Sequence, residues 1–379
     1  MVTSTTVTNR PPFFTTPDFD TYASTRPGLG QKIGKPKMLH GGFEQQYQNA
    51  TAYGAFSSVP KEVHGAIRDR YVQFGGPDGW LGFPLTDETP TPDRAGRYNH
   101  FEHGSIYWSP ATGAFEVHGA IRDKWAALGY ERGWLGYPRS NEVGFDDGRV
   151  SLFQHGAIYW WGDTGARALN EVIVQYTGLH CFGETDVDSG SDSDEPYATL
   201  GVAVPGGQKQ VFQTKIYGEE PGEDGVDSNE GYFDVIELYR GTPRGLILNS
   251  LLQEHSGGDT KASREVIAES VEKGGQALAT AATLIPVVGP VLGPAATVAL
   301  KLFKQDIIDA LNGFVESTLG YADRPLGSDV QVFTAKQLIV MATRPEGHMQ
   351  FGPIPWRFET PPMSRFGATY KLYFNVFPA

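Results

Sequence analysis

The sequence predicts a mainly β protein of the α+β class: an N-terminal repeat region of short helices and hairpins, followed by a β-sandwich carrying a helical-hairpin insertion. Three observations carry this expectation. Glycine and proline contribute 47 and 26 of the 379 residues, roughly a fifth of the chain against a usual ~12%, which favours short strands and turns over long helices. A set of motifs recurs within the first 170 residues, so that region is built from copies of one unit. Beyond Leu169 the repeats stop, and runs of β-branched and aromatic residues alternate with turn-forming stretches.

Val63-His64-Gly65-Ala66-Ile67-Arg68-Asp69 returns as Val117-His118-Gly119-Ala120-Ile121-Arg122-Asp123, a shift of 54 positions. At the same shift Gly79-Trp80-Leu81-Gly82-Phe83-Pro84 returns as Gly133-Trp134-Leu135-Gly136-Tyr137-Pro138. His103-Gly104-Ser105-Ile106-Tyr107-Trp108 returns as His155-Gly156-Ala157-Ile158-Tyr159-Trp160, with two residues deleted in between. A decayed earlier copy is read in Ile33-Gly34-Lys35-Pro36, Gly42-Phe43-Glu44 and Gly54-Ala55-Phe56, the last matched to Gly113-Ala114-Phe115. Within each full copy Ile67, Tyr71 and Phe74, or Ile121, Trp125 and Leu128, recur at helical spacing ahead of Gly75 or Gly129 at the helix end. Ile106-Tyr107-Trp108 and Ile158-Tyr159-Trp160 read as strands. A unit this small cannot bury its apolar face alone, so neighbouring copies must close on one another.

These residues carry a resemblance. Leu81-Gly82-Phe83-Pro84 and Leu135-Gly136-Tyr137-Pro138, each behind a Gly-Trp and ahead of an aromatic strand, resemble the LGFP repeat family over about residues 28–169. The resemblance implies a bacterial surface or secreted setting in which the repeats hold the protein to cell-wall polysaccharide, and therefore an extracellular or cell-surface location. No secretory signal is visible between Met1 and Asp20, which leaves a cytoplasmic location open. The domain expectation is an extension over 1–27, the repeat domain over 28–169 and the sandwich over 170–379.

In the C-terminal half, strands are expected around 172–176, 198–204, 211–217, 233–239, 330–342 and 369–377, and a helical insertion over about 261–317 that Pro286, Pro290 and Pro294 divide. The 27 positions from Gly274 to Leu300 carry no charge. They suit either a buried helical hairpin or a membrane-entering one, with Ile285, Val288 and Val291 as its candidate membrane-active residues.

For binding, amphipathic aromatic rings can pack on the C–H face of a sugar, and the candidates are Trp80, Trp134, Trp108 and Trp161. Trp160 and Trp161 are adjacent, so on a strand they face opposite ways. Arg97 and Asn99, read as part of a loop, are candidate hydrogen-bonding partners for sugar hydroxyls. The repeated histidines His64, His118, His103 and His155 lack a short-range ligand spacing and read as structural turn residues. For Ca²⁺, the acidic stretch supplies Asp186, Asp188, Asp192 and Asp194, with Asp224 and Asp227 from a neighbouring loop as completing ligands.

Exclusions follow from charge and motifs. A formal charge of −13 repels a phosphate backbone, so nucleic acid is not an expected partner. The single cysteine, Cys181, excludes an intramolecular disulfide. No nucleophile elbow, zinc-protease motif or phosphate loop is present, and Cys181 beside His180 points away from it on a strand. The functional expectation is a non-enzymatic, lectin-like binder of a glycan or cell-wall polysaccharide. A membrane-acting or pore-forming effector and a cell-wall hydrolase are the alternatives.

Overall fold

The computed structural model describes residues 15–184, 194–205, 209–219, 221, 225–255, 261–283, 323–343, 346–349, 352–354 and 356–379. The chain is mostly β, with several antiparallel sheets, and divides into two compact units: Met1–Glu142 with Val150–Trp160, and Val143–Arg149 with Trp161–Ala379.

In the first unit a short helix α1 (Phe19–Ser24), capped by the Asp18 carboxylate on the Thr21 amide, precedes a meander of β1 (Lys32–Leu39), β2 (Gly42–Tyr47), β3 (Ala50–Ala55) and β4 (Lys61–His64). Helix α2 (Gly65–Gln73) follows, then a second meander of β5 (Thr89–Pro90), β6 (Arg97–Phe101), β7 (Gly104–Ser109) and β8 (Gly113–Val117), and then α3 (Gly119–Ala127). The two helices are offset by the 54 positions of the sequence repeat. A further four-stranded sheet comprises β9 (Val143–Phe145), β10 (Gly148–Phe153), β11 (Gly156–Trp161) and β12 (Gly165–Leu169), of which residues 150–160 are counted in the first unit and β9 and β12 in the second.

Each helix buries one face, Ile67 and Tyr71 in α2, Ile121 and Trp125 in α3. Tyr71 and its neighbours Val63, Leu81, Phe83, Phe101 and Ile106 form one apolar cluster. Gly75 and Gly129, at φ 93° and 96°, end the helical run in the left-handed conformation that glycine adopts without steric cost.

The first meander corrects the reading of the decayed copy. Ala50 pairs with His64 and Ser105 with Val117, so β3 corresponds to β7 and Gly54 to Trp108, not to Gly113. Gly42 and Gly96 are the true equivalents: a Cβ at either would strike a carbonyl of the adjacent strand, Gly54 O at 2.2 Å or Trp108 O at 2.3 Å. Ile33-Gly34-Lys35-Pro36 lies on β1 with Ile33 exposed, whereas Leu81 and Leu135 are fully buried. The tetrapeptide resemblance there is compositional, without the buried turn.

In the second unit β13 (Val172–Gly183) pairs with both β16 (Gly231–Gly241) and β23 (Ala368–Pro378), and β23 with β21 (Trp356–Glu359) and β22 (Met363–Arg365). A second sheet runs β15 (Lys209–Gln213), β14 (Pro196–Ala203), β17 (Leu246–Glu254), β18 (Arg324–Phe333). A separate hairpin pairs β19 (Glu346–Met349) with β20 (Gly352–Ile354). The central strands β14 and β17 of the second sheet are buried along their whole length, the state that requires cover on both faces. Helix α4 (Lys261–Thr283) supplies part of it: Ile267 and Val271 approach Gly201 so closely that a Cβ would meet their methyls at 2.6 and 2.4 Å. Side chains of the two large sheets meet where Phe333 packs on Phe358, ring centroids 4.9 Å apart, and where Gly327 faces Met363.

Strand β17 was absent from the sequence expectation, and the strand expected over 330–342 holds for 330–333 and is overturned beyond Phe333. β18 ends at Phe333, and Ala335–Thr343 is a helix, α5. Thr334 and Gln337 exchange hydrogen bonds as a capping box, and Ala335, Leu338, Ile339 and Ala342 are buried at helical spacing. That period, not the β-branched content, was the informative signal. Ile285, Val288 and Val291 lie outside the described residues; among the described residues no helix is long and apolar enough to cross a membrane.

Because Leu135 is fully buried and Leu85 exposed, Leu135→Ala should lower the unfolding free energy by about 2–5 kcal/mol. Leu85→Ala should change it by under about 0.5 kcal/mol. Urea unfolding of the two variants checks the difference.

Candidate functional site

The turn that carries each repeated tryptophan is built from its flanks. Gly82 N–H donates to Gly79 O, and Gly136 N–H to Gly133 O, each at 3.2 Å. Between them the leucine turns into the core and the tryptophan outward. Gly82 and Gly136 both sit at φ 70°, and a Cβ on either would collide with Glu102 or Gln154. Those side chains accept from the following amides, Phe83 N–H on Glu102 and Tyr137 N–H on Gln154, both at 2.9 Å. From behind, Tyr71 Oη donates to Gly82 O at 2.6 Å and Trp125 Nε1 to Gly136 O at 3.1 Å. The turn is therefore held on both sides, and the outward ring is what remains.

Trp80 and Trp134 are accordingly 41% and 47% exposed. Phe74 braces the Trp80 ring edge-on at 5.6 Å, and the His118 imidazole tilts against it at 4.6 Å. His118 is held in turn through both nitrogens: Nδ1 lies 2.8 Å from Glu116 Oε2 and Nε2 3.5 Å from Glu142 Oε2. The same arrangement recurs one copy earlier, where His64 contacts Glu62 at 2.8 Å and Glu88 at 3.0 Å. These Glu-His-Glu clasps went unrecognised in the sequence because Glu88 and Glu142 lie 24 positions beyond the histidines, on a different loop. Their signal was the common 54-residue shift of all three members.

The two platforms differ. With the two-residue deletion counted, Asn170 stands where a third copy of His118 would fall, so the clasp does not recur after Trp134. In the first copy the tryptophan position is Arg26, stacked on Tyr22 at 4.0 Å and paired with Asp87 at 2.9 Å. That copy presents no platform.

Other expected ligand residues are relocated. Trp161, at 2% exposure with its Nε1 donating to Asp146 O, is a core residue, and its neighbour Trp160 is the one that reaches the surface in part. Trp108 is partly buried against the core cluster. Asn99 and Arg97 lie on strand β6, not on a loop. Asn99 is fully buried and its Nδ2 donates to Glu62 O and Thr86 O, which ties β6 to its surroundings and places the side chain out of a sugar's reach. Arg97 is exposed, 3.6 Å from Glu88. Among the acidic candidates, Asp186, Asp188, Asp192 and Asp224 lie outside the described residues. Asp194 is buried and accepts from Tyr370 Oη at 2.7 Å, so it serves the packing of the second unit, while Asp227 is exposed. Among the described residues no group of three or more His, Cys, Asp or Glu could hold a metal ion. Burial pushes the Cys181 thiol up, away from the thiolate a nucleophile requires.

Residues 81–133 and 135–176 match the family model described as LGFP repeat. The match begins at Leu81, so the earlier meander lies outside it. No curated protein matches the chain. Among solved structures, a C2 domain of a plant extended synaptotagmin 1 aligns with 55% of this chain and 95% of that domain, at 10% identity and a TM-score of 0.21, a likeness too low to carry an argument.

The Glu62 and Glu88 carboxylates, accepting from the two ring nitrogens, raise the His64 pKa from 6.5 to about 9. Folding thus favours the protonated imidazole, so its contribution is complete below about pH 6.5 and is lost as pH rises through about 9. Wild type should lose stability over that interval relative to His64→Gln. Parallel urea unfolding curves between pH 6 and about 9.5 check this; superimposable pH profiles would show that the clasp contributes nothing.

Proposed function

We propose that this LGFP-repeat chain is a non-enzymatic, lectin-like protein that holds a glycan or cell-wall polysaccharide on Trp80 and Trp134. The observation that carries the reading is the exposure of both indoles, 41% and 47%, at the same position of a turn held from both sides. A large amphipathic ring fixed in place and left in water offers a flat apolar face without an ordering cost on binding. The Trp80 platform is the better built, since Phe74 and the clasped His118 fix its orientation. Glu116 and Glu142 add hydrogen-bond acceptors behind the imidazole.

In this reading residues 28–169 are the targeting module, and the chain acts outside the cell or at its surface, the setting in which LGFP repeats are found. Residues 170–379 form a β-sandwich, its sheets β16-β13-β23-β21 and β15-β14-β17-β18 face to face, with a helical insertion that begins at α4. Arg97, exposed on β6, is the remaining side-chain candidate for a sugar hydroxyl.

The combined substitution Trp80→Ala and Trp134→Ala should weaken sedimentation of the protein with insoluble cell-wall polysaccharide at least about tenfold, the loss expected for two buried aromatic contacts. Trp80 and Trp134 keep 41% and 47% of their surface in water and pack the rest, so the double variant should unfold at a lower midpoint yet remain folded under the binding conditions, which a urea unfolding curve checks. Undiminished binding by a folded double variant would remove Trp80 and Trp134 from the site.

A further inference from the structure

The second unit carries a cavity that the repeat reading does not use. On the outer face of the sheet β16-β13-β23-β21 lies an open concavity of about 540 Å³, within the range of small-molecule sites. Its lining includes Phe233 and Val235 of β16, Phe182 of β13, Tyr373 and Asn375 of β23, and Arg357 of β21. Phe233 is 93% exposed, and Val235 and Phe182 are exposed beside it. Three large apolar side chains on adjacent strands of one sheet face form a patch, and such patches mark binding surfaces.

The face is graded. Apolar residues occupy its β16 and β13 side, while polar groups occupy β23 and β21. Register places the ends: Phe233 is opposite Gly178, Gly178 opposite Tyr373, and Arg357 opposite Asn375. With strands about 4.8 Å apart, the distance from β16 to β21 is roughly 14 Å. At the polar end the charges do not cancel. Glu359 is paired with Lys371, and the Lys371 ammonium also lies 5.8 Å over the Phe182 ring. Arg357 is exposed and makes no ion pair among the described residues. Asn375, across from it, has a side-chain oxygen that is buried without a hydrogen-bond partner, and a half-turn about χ2 exchanges that oxygen for the Nδ2 donor. His180 also lines the cavity, its ring 4.6 Å from Phe182.

We propose that this concavity binds a single-chain anionic amphiphile, an acyl chain with a carboxylate or phosphate head. The chain lies across β13 and β16 against Phe182, Phe233 and Val235, and the head meets the Arg357 guanidinium, with the Asn375 Nδ2 amine as the second donor. The Arg357 guanidinium, without a counter-ion among the described residues, selects the anion, since charge-assisted pairs are the strong ones, and the three apolar side chains select the tail. Gly178 allows the shape: it sits at φ 135° within a β-bulge, where a Cβ would strike Tyr232 O at 2.0 Å. The bulge bends the sheet locally and opens the hollow between β13 and β16.

The test uses the full chain with monomeric oleate, monomeric lysophosphatidate, oleyl alcohol, and vesicles of phosphatidylglycerol, followed by titration calorimetry. Oleate or lysophosphatidate should bind one per chain and oleyl alcohol at least about tenfold more weakly; which anion binds tighter identifies the head. Arg357→Gln should weaken the anions about tenfold without affecting oleyl alcohol, and Phe233→Ala should weaken all three about tenfold. Both side chains are exposed, so the variants should keep the wild-type melting temperature. Absence of binding, binding to vesicles alone, or equal affinity of both variants and wild type would overturn the proposal.

Discussion

The hydrogen bond from a helix aromatic to a glycine carbonyl organises the repeat region. Tyr71 Oη on Gly82 O, and Trp125 Nε1 on Gly136 O, join the buried face of a helix to the turn that follows it. A buried carbonyl in a tight turn has few alternative partners, and leaving it unsatisfied would cost more than the bond itself contributes. The large ring also fills the volume between the helix and the next meander, where Tyr71 stacks on Phe101 at 4.4 Å and Trp125 packs on Phe153 at 5.5 Å. One side chain thus satisfies the turn and closes one copy on its neighbour.

From that constraint the candidate site follows. With leucine held inward and glycine unable to accept a Cβ, the residue before them can only face out, and in two copies it is tryptophan. The surroundings then differentiate the copies. Trp80 leans on a histidine clasped by two glutamates, Trp134 has no such clasp, and in the first copy Arg26 closes on Asp87. One backbone device therefore presents two different surfaces, and the first copy has Pro17 and Gly28 where the device has Tyr71 and Gly82.

The second unit is organised otherwise, by long strands and a buried helix face. Its inner surface is aromatic and well partnered, with Tyr176 and Tyr217 hydroxyls 3.1 Å apart and Tyr370 bonded to Asp194. Its outer face over β16 and β13 reverses the usual preference, keeping Phe233 and Val235 in water. An alternating strand with apolar residues on both faces is the sign that both faces have something to cover them.

The repeat, its period and its two helices were legible in the sequence, because recurrence at 54 positions and helical spacing of Ile67, Tyr71 and Phe74 are local, additive signals. So were the outward tryptophans as candidates and the β character of the second half. Tertiary structure alone decided which tryptophans face water: Trp161 and Trp80 share a residue type but differ in what packs against them. It decided that Asn99 is a buried tie, that the first copy aligns through Gly42 and Gly96, and that two glutamates distant in sequence grip each histidine. Residues 335–343 show the boundary between the two kinds of information: their composition suits a strand, but a capping box and an apolar stripe at helical period turn them into α5. Local sequence specifies period and turn, whereas burial and partnership depend on which distant segments arrive, and that is set by the packing of the whole chain.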